Sequence, residues 1–208
     1  MIIKIKVFIG RMNEKMMRKC LINKIMPLFV GFVSACLIFS GSVLAAEGGD
    51  REGVYQEDGR YFDKDDNPTW NFTLKKDERT GKEVKVWDWP TYVGNRKYHS
   101  DCHVCHGPLG LGGTFAPALA ESLKTLSYED FRDTVVNGRT VPQPGGTPNV
   151  MPAFGPNKNV MCYLDDIYVY LKARSDGSLG PIATQSMKRE PKSAEIKSEE
   201  YGCMGWDE

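Results

Sequence analysis

The sequence has no surplus of charge, since 27 Lys+Arg stand against 27 Asp+Glu. A nucleic-acid binder would carry a basic excess, so that class is disfavoured. Histidine is scarce, with three in 208 residues, and no internal repeat is present. Disorder throughout is also excluded, because 41% of the residues are hydrophobic. What is there fits one domain of ordinary size with extensions.

The zero balance averages two unlike parts. Residues 1–26 hold seven basic residues and one acid, and residues 28–46 follow without a charge, ending Ser42-Val43-Leu44-Ala45-Ala46. A basic region, an apolar region and small residues at a cut describe a secretory leader, with cleavage after Ala45 or Ala46. The alternatives are an uncleaved anchor, since 19 uncharged residues just span a bilayer, and lipidation at Cys36 within Val33-Ser34-Ala35-Cys36. Interior Gly31, Ser34, Ser40, Gly41 and Ser42 weaken the span, and the uncharged run continues too far past Cys36 for a lipoprotein. Cleavage leaves 20 basic and 26 acidic residues, a net charge of about −6, and four cysteines: Cys102, Cys105, Cys162 and Cys203. An exported chain sits where disulfides persist, and a periplasmic location follows from the leader.

The mature chain divides into three stretches. Residues 46–92 are polar with scattered aromatics, and the weakly alternating segments 69–74 and 83–87 read as hairpin arms. This extension is expected to be non-helical and to lay its aromatics on the main domain, being too short to fold alone. Asp63-Lys64-Asp65-Asp66-Asn67 begins like a calcium loop, but Pro68 and Leu74 stand where glycine and glutamate are needed, so it reads as an Asp-rich turn. Residues 93–180 read as helices with long loops. A helix is expected over 94–104, and another opens at the Ser127–Asp130 capping box and stops at Asn137-Gly138. A last one runs over 160–174 and ends at Gly177. The Gly/Pro-rich loops 107–120 and 139–157 are too long for a small all-α domain unless something large fills its centre. Residues 181–208 read as a polar tail or wrapping strand.

The filler is named by Cys102-His103-Val104-Cys105-His106, the C-x-x-C-H attachment run of a c-type haem. Two cysteines three apart on a helical turn can form thioethers to both vinyl groups, and the adjacent histidine then faces the iron. A redox pair would not need His106, and zinc would need paired Cys or His elsewhere, whereas Cys162 and Cys203 stand alone in sequence.

Beyond the motif, residues 93–175 resemble class I cytochromes c. Gly94 and Tyr98 lie eight and four residues before Cys102, and Ile167 and Tyr170 match their partners on the last helix. The resemblance implies an all-α class I fold around one covalent haem c. Phe115-Ala116-Pro117-Ala118-Leu119 fits the loop whose proline carbonyl orients the axial histidine, so Pro117 is expected to hold His106. Among Met151, Met161, Met187 and Met204, the one in the Gly/Pro-rich loop is Met151, in the family's ligand position; His99 and His103 lie too near the attachment turn. Thioether ligation raises the potential, as suits a carrier. His106 and Met151 together would close both haem faces, so single-electron transfer rather than enzymatic turnover is implied. Arg139 is a candidate partner for a haem propionate, an exposed loop arginine being the alternative. Cys162 and Cys203 pair most simply as a disulfide, worth on the order of 4 kcal/mol for a loop of about 40 residues in the chain-entropy picture. Two free thiols are the alternative.

The resemblance narrows over residues 163–177, and over Asn137-Gly138-Arg139 and Met151-Pro152-Ala153-Phe154-Gly155, to cytochromes serving PQQ-dependent alcohol dehydrogenases. Four mature cysteines resemble the methanol-metabolism-related cytochromes c, over most of 50–180 and departing after Gly180. This implies a PQQ-dependent methanol dehydrogenase as electron donor and a cytochrome c or oxidase as acceptor, with no membrane attachment once the leader is gone. A general respiratory cytochrome c, and a haem sensor or peroxidase-like protein with a displaceable Met151, are the competing readings.

Overall fold

The structure, a computed structural model, describes residues 51–181 and 186–206. The chain divides into Met1–Val43 and Leu44–Glu208, and every described residue belongs to the second unit. The leader expected over residues 1–45 lies outside the described residues.

The centre is a pair of helices. Helix α1 (Trp89–Asp101) starts where Asp88 caps it, accepting from the Thr91 N–H at 2.7 Å, with Pro90 in the first turn where a missing N–H costs nothing. It packs along α6 (Leu164–Ser175), most of whose side chains are buried. Gly94 permits the close crossing, since a Cβ there would run into the Asp166 carbonyl. Tyr98, Ile167, Tyr170 and Leu171 are all nearly inaccessible in the resulting core. Shorter helices surround this pair: α2 (His103–His106), α3 (Leu119–Ser122), α4 (Tyr128–Asn137) and α5 (Lys158–Met161). Ser127 caps α4 by accepting from the Asp130 N–H, and α4 stops at Gly138 with φ 71°. The expected last helix is two, broken at Cys162 and Tyr163, and ends before Gly177 at φ 73°.

The all-α expectation is too narrow, because strands frame the helices. In the extension, β1 (Tyr55–Glu57), β2 (Arg60–Phe62) and β3 (Pro68–Thr69) form one antiparallel sheet. The expected hairpin is β4 (Phe72–Lys76) with β5 (Glu83–Trp87), in register Phe72 to Trp87. In the second long loop, β6 (Arg139–Val141) pairs with β7 (Asn149–Met151). Pairing gives these polypeptide groups the partners that a helix would otherwise supply. The aromatics do lie on the domain: Trp70 and Trp87 are buried in the helical core cluster, 6.0 Å apart between ring centres.

The tail departs furthest from expectation. Its strand β8 (Lys188–Arg189) pairs in parallel with β5, and Ser193 then caps a full helix, α7 (Ala194–Met204). Ile196 of α7 is buried, and Arg60 from β2 bonds both Asp166 on α6 and Glu199 on α7. Extension, last helix and tail therefore meet on one guanidinium.

Candidate functional site

The C-x-x-C-H run occupies the junction of α1 and α2. Cys102 ends α1, its N–H donating to the Tyr98 carbonyl at 2.9 Å, and its own carbonyl accepts from the His106 N–H at 3.1 Å. Both cysteines of the run are free thiols, Cys102 half-buried and Cys105 exposed. Burial pushes the Cys102 thiol up to about 12, with Asp101 and Cys105 adding to it. Among the described residues, no cluster of three or more His, Cys, Asp or Glu could hold a metal ion.

His106 is buried, and its Nδ1 lies 3.0 Å from the Pro117 carbonyl oxygen. A carbonyl only accepts, so Nδ1 carries the proton and Nε2 keeps its lone pair for a metal. The loop that returns Pro117 to this place is built on glycine. Gly107 leaves α2 at φ 74°, where a Cβ would strike the Gly112 carbonyl, and the Gly112 N–H bonds the His106 carbonyl at 2.8 Å. The Tyr98 hydroxyl donates to the Gly107 carbonyl at 2.6 Å, and Arg174 Nε donates to the Leu109 carbonyl at 3.1 Å. The loop is thus fastened to both central helices.

An apolar cavity lies beside this turn. Cys102 and Met151 both line it, with Leu119, Phe131, Phe154 and Leu171 among their neighbours. Met151 stands at the end of β7, opposite Arg139 in the ladder. Neither Met161, Met187 nor Met204 lines that cavity. Cys102 and Met151 line the cavity, while Cys105 and His106, its Nδ1 held by Pro117, lie on the adjoining turn; two cysteine sulfurs, an imidazole and a thioether are a donor set that fits a covalent haem.

The family described as "Cytochrome C oxidase, cbb3-type, subunit III" matches residues 92–171. Cytochrome c-553I of Paracoccus denitrificans is 41% identical over 164 residues, which is 79% of this chain and 67% of that protein. The chain belongs to the c-type cytochromes. Cytochrome c-555 of Methylococcus capsulatus is 41% identical over 93 residues, 44% of this chain and 68% of its own. The crystal structure of c-type cytochrome XoxG from Methylobacterium extorquens AM1 matches with a TM-score of 0.61 and 46% identity, covering 76% of this chain and 87% of that one. This cytochrome carries electrons through a covalently bound haem c, within a class I type of helical domain. Among its described residues, no helix is long and apolar enough to cross a membrane.

Three other expected residues of the cytochrome are placed as follows. Cys162 and Cys203 are bonded, with S–S 2.02 Å across 41 residues of chain. Arg139 is exposed and contributes its backbone to the β6–β7 ribbon. Sequence reasoning missed the Tyr98 and Arg174 hydrogen bonds to the proximal loop, and Arg60 with its buried partner Asp166. Arg174 carries no legible signal, since a basic residue in the last turn of a helix is ordinary.

Proposed function

We propose that this cytochrome is a periplasmic single-electron carrier that accepts electrons from a PQQ-dependent methanol dehydrogenase and delivers them to another cytochrome c or an oxidase. Residues 1–45 are its leader, 46–92 the extension, 93–180 the haem domain and 181–208 the tail. Cys102 and Cys105 would hold the haem through thioethers, His106 and Met151 would bind its iron, Pro117 would orient His106, and Arg139 would pair with a propionate. The haem supplies the reversible one-electron couple. The observation that carries the reading is that Met151 lines the same apolar cavity as Cys102 while Pro117 fixes His106. With a nitrogen and a thioether committed, both axial positions are filled by side chains, which favours electron transfer over oxygen or peroxide chemistry. Prompt carbon monoxide binding by the reduced protein at neutral pH would overturn this closed site and favour a sensor or peroxidase-like role.

The donor assignment is supported by the resemblance over residues 50–180, and by likeness to XoxG over 76% of the chain, more than the haem domain alone. Stopped-flow reduction by a purified PQQ methanol dehydrogenase tests it, and no reduction at micromolar concentrations counts against it. The match of residues 92–171 to an oxidase subunit family favours the second reading, a general respiratory carrier. That reading gains if a cytochrome c reductase reduces the protein quickly and the dehydrogenase does not.

A further inference from the structure

We propose that helix α7 and its disulfide are a brace for the sixth-ligand side of the haem pocket, with Cys162, Cys203 and Glu200 as positioning residues. This rests on Met151 being the axial ligand. Met151, Phe154 and Val160 lie within ten residues of one another in sequence and line the same cavity. The chain between them is held on one side by α4, through Phe154 N–H to the Val135 carbonyl at 2.9 Å and Gly155 N–H to the Val136 carbonyl at 3.0 Å. It then enters α5, a single turn of four residues capped by Asn157. One helical turn cannot sustain itself, because it fixes the backbone for hardly any hydrogen bonds. Yet Val160 of that turn is 1% exposed, so something outside holds it in place.

The outside support is the tail. Cys162, the residue that closes α5, is bonded to Cys203 of α7, and Lys158 at the start of α5 donates to the Met204 carbonyl at 3.5 Å. Helix α7 is in turn pinned by an acid that burial alone would expel. Glu200 is 3% exposed, and its carboxylate accepts from Trp89 Nε1 at 3.1 Å, Tyr163 OH at 3.3 Å and Lys192 Nζ at 2.7 Å. These donors come from the start of α1, from the residue after Cys162, and from the segment before α7. A buried carboxylate so satisfied fixes one placement of its helix, since any slip leaves it desolvated without partners. The turn bearing Val160 therefore moves away from the pocket only when the brace opens too, and local opening that frees Met151 carries that added cost.

The test uses ferric holoprotein. In the parent, the far-red charge-transfer band of a thioether on ferric iron reports Met151, and added imidazole displaces it at a measurable rate. The Cys162→Ser/Cys203→Ser protein is expected to keep the band but exchange about tenfold faster, as is the folded parent after its disulfide is reduced, its two thiols are alkylated and its iron is reoxidised. Glu200→Ala, which leaves the disulfide in place, is expected to accelerate exchange as well. Rates within about twofold of the parent in both disulfide-free forms would overturn the brace and leave a simple tail staple. A parent that lacks the far-red band would overturn the Met151 assignment itself, and the brace with it. Should the double variant not fold, reduction of the folded parent decides alone.

Discussion

Asp88 shows how much one buried side chain can carry. It caps α1 through the Thr91 N–H and also accepts from the Asn71 N–H, joining the haem domain to the extension. Burial pushes its carboxyl from 3.8 up to about 6, against the pull of those hydrogen bonds. Between the two values the folded chain binds more protons than the unfolded one, so this contribution is complete below the lower value and lost as pH rises through the upper. Asp166 is pushed upward by burial too, but there the Arg60 guanidinium pulls the other way and holds the carboxylate. Thermal midpoints of the parent are thus expected to drop, relative to those of Asp88→Asn, between about pH 4 and pH 6, the span that Asp88 titrates. Asparagine caps a helix nearly as well, so a midpoint difference independent of pH would contradict the assignment. At the site itself, Met151→Ala is expected to lower the reduction potential and admit carbon monoxide, read by potentiometry and absorbance. Gly94→Val should be among the costliest single changes, because its side chain would meet the Asp166 carbonyl where α1 crosses α6.

At the scale of elements, the clasp of Arg60 is the feature most open to measurement. Its guanidinium is shared between buried Asp166 and exposed Glu199 on α7, so Arg60→Ala strands a carboxylate in the interior. A loss of about 3–5 kcal/mol is expected in chemical denaturation, while Arg60→Met with Asp166→Leu should recover most of it. The same elements show what could be read in advance. The Cys102–His106 run, the Ser127 cap and the stop at Gly177 are local chemistry, and each is where local rules put it. The Phe72–Trp87 hairpin was legible from its alternation. Helix α7 was not, because its buried residues are Ile196 and Glu200, and a hydrophobic period that includes a glutamate leaves no apolar stripe. The β6–β7 ribbon was hidden among prolines and glycines that read as loop. Arg60 was invisible for another reason: its partners lie 106 and 139 residues away, and nothing near it in sequence announces them.

For the whole molecule, charge and contact separate. Residues 46–208 carry 20 basic against 26 acidic residues, a net charge of about −6. The loops flanking the cavity carry no charged residue over 107–118 or 140–157. Long-range attraction to a basic patch on the donor would then bring the proteins together, while the haem-side contact itself stays uncharged. Added salt is expected to lower the second-order rate of reduction and to leave the rate at saturating donor nearly unchanged. A second-order rate indifferent to salt would remove steering from the account.

The clasp between the two ends of the mature chain also sets an order in time. Strand β5 waits for β8, Asp166 and Glu199 both close on Arg60, and Cys162 waits for Cys203. Closures across such separations are slow, and those of β5, Glu199 and Cys162 need residues 188–203 in place. In the proposed exported carrier the Cys102–His106 segment accordingly spends an interval in a chain that has not yet shut around it. Such an interval is what covalent attachment of a large planar group requires, and the tail that arrives last is the part that ends it.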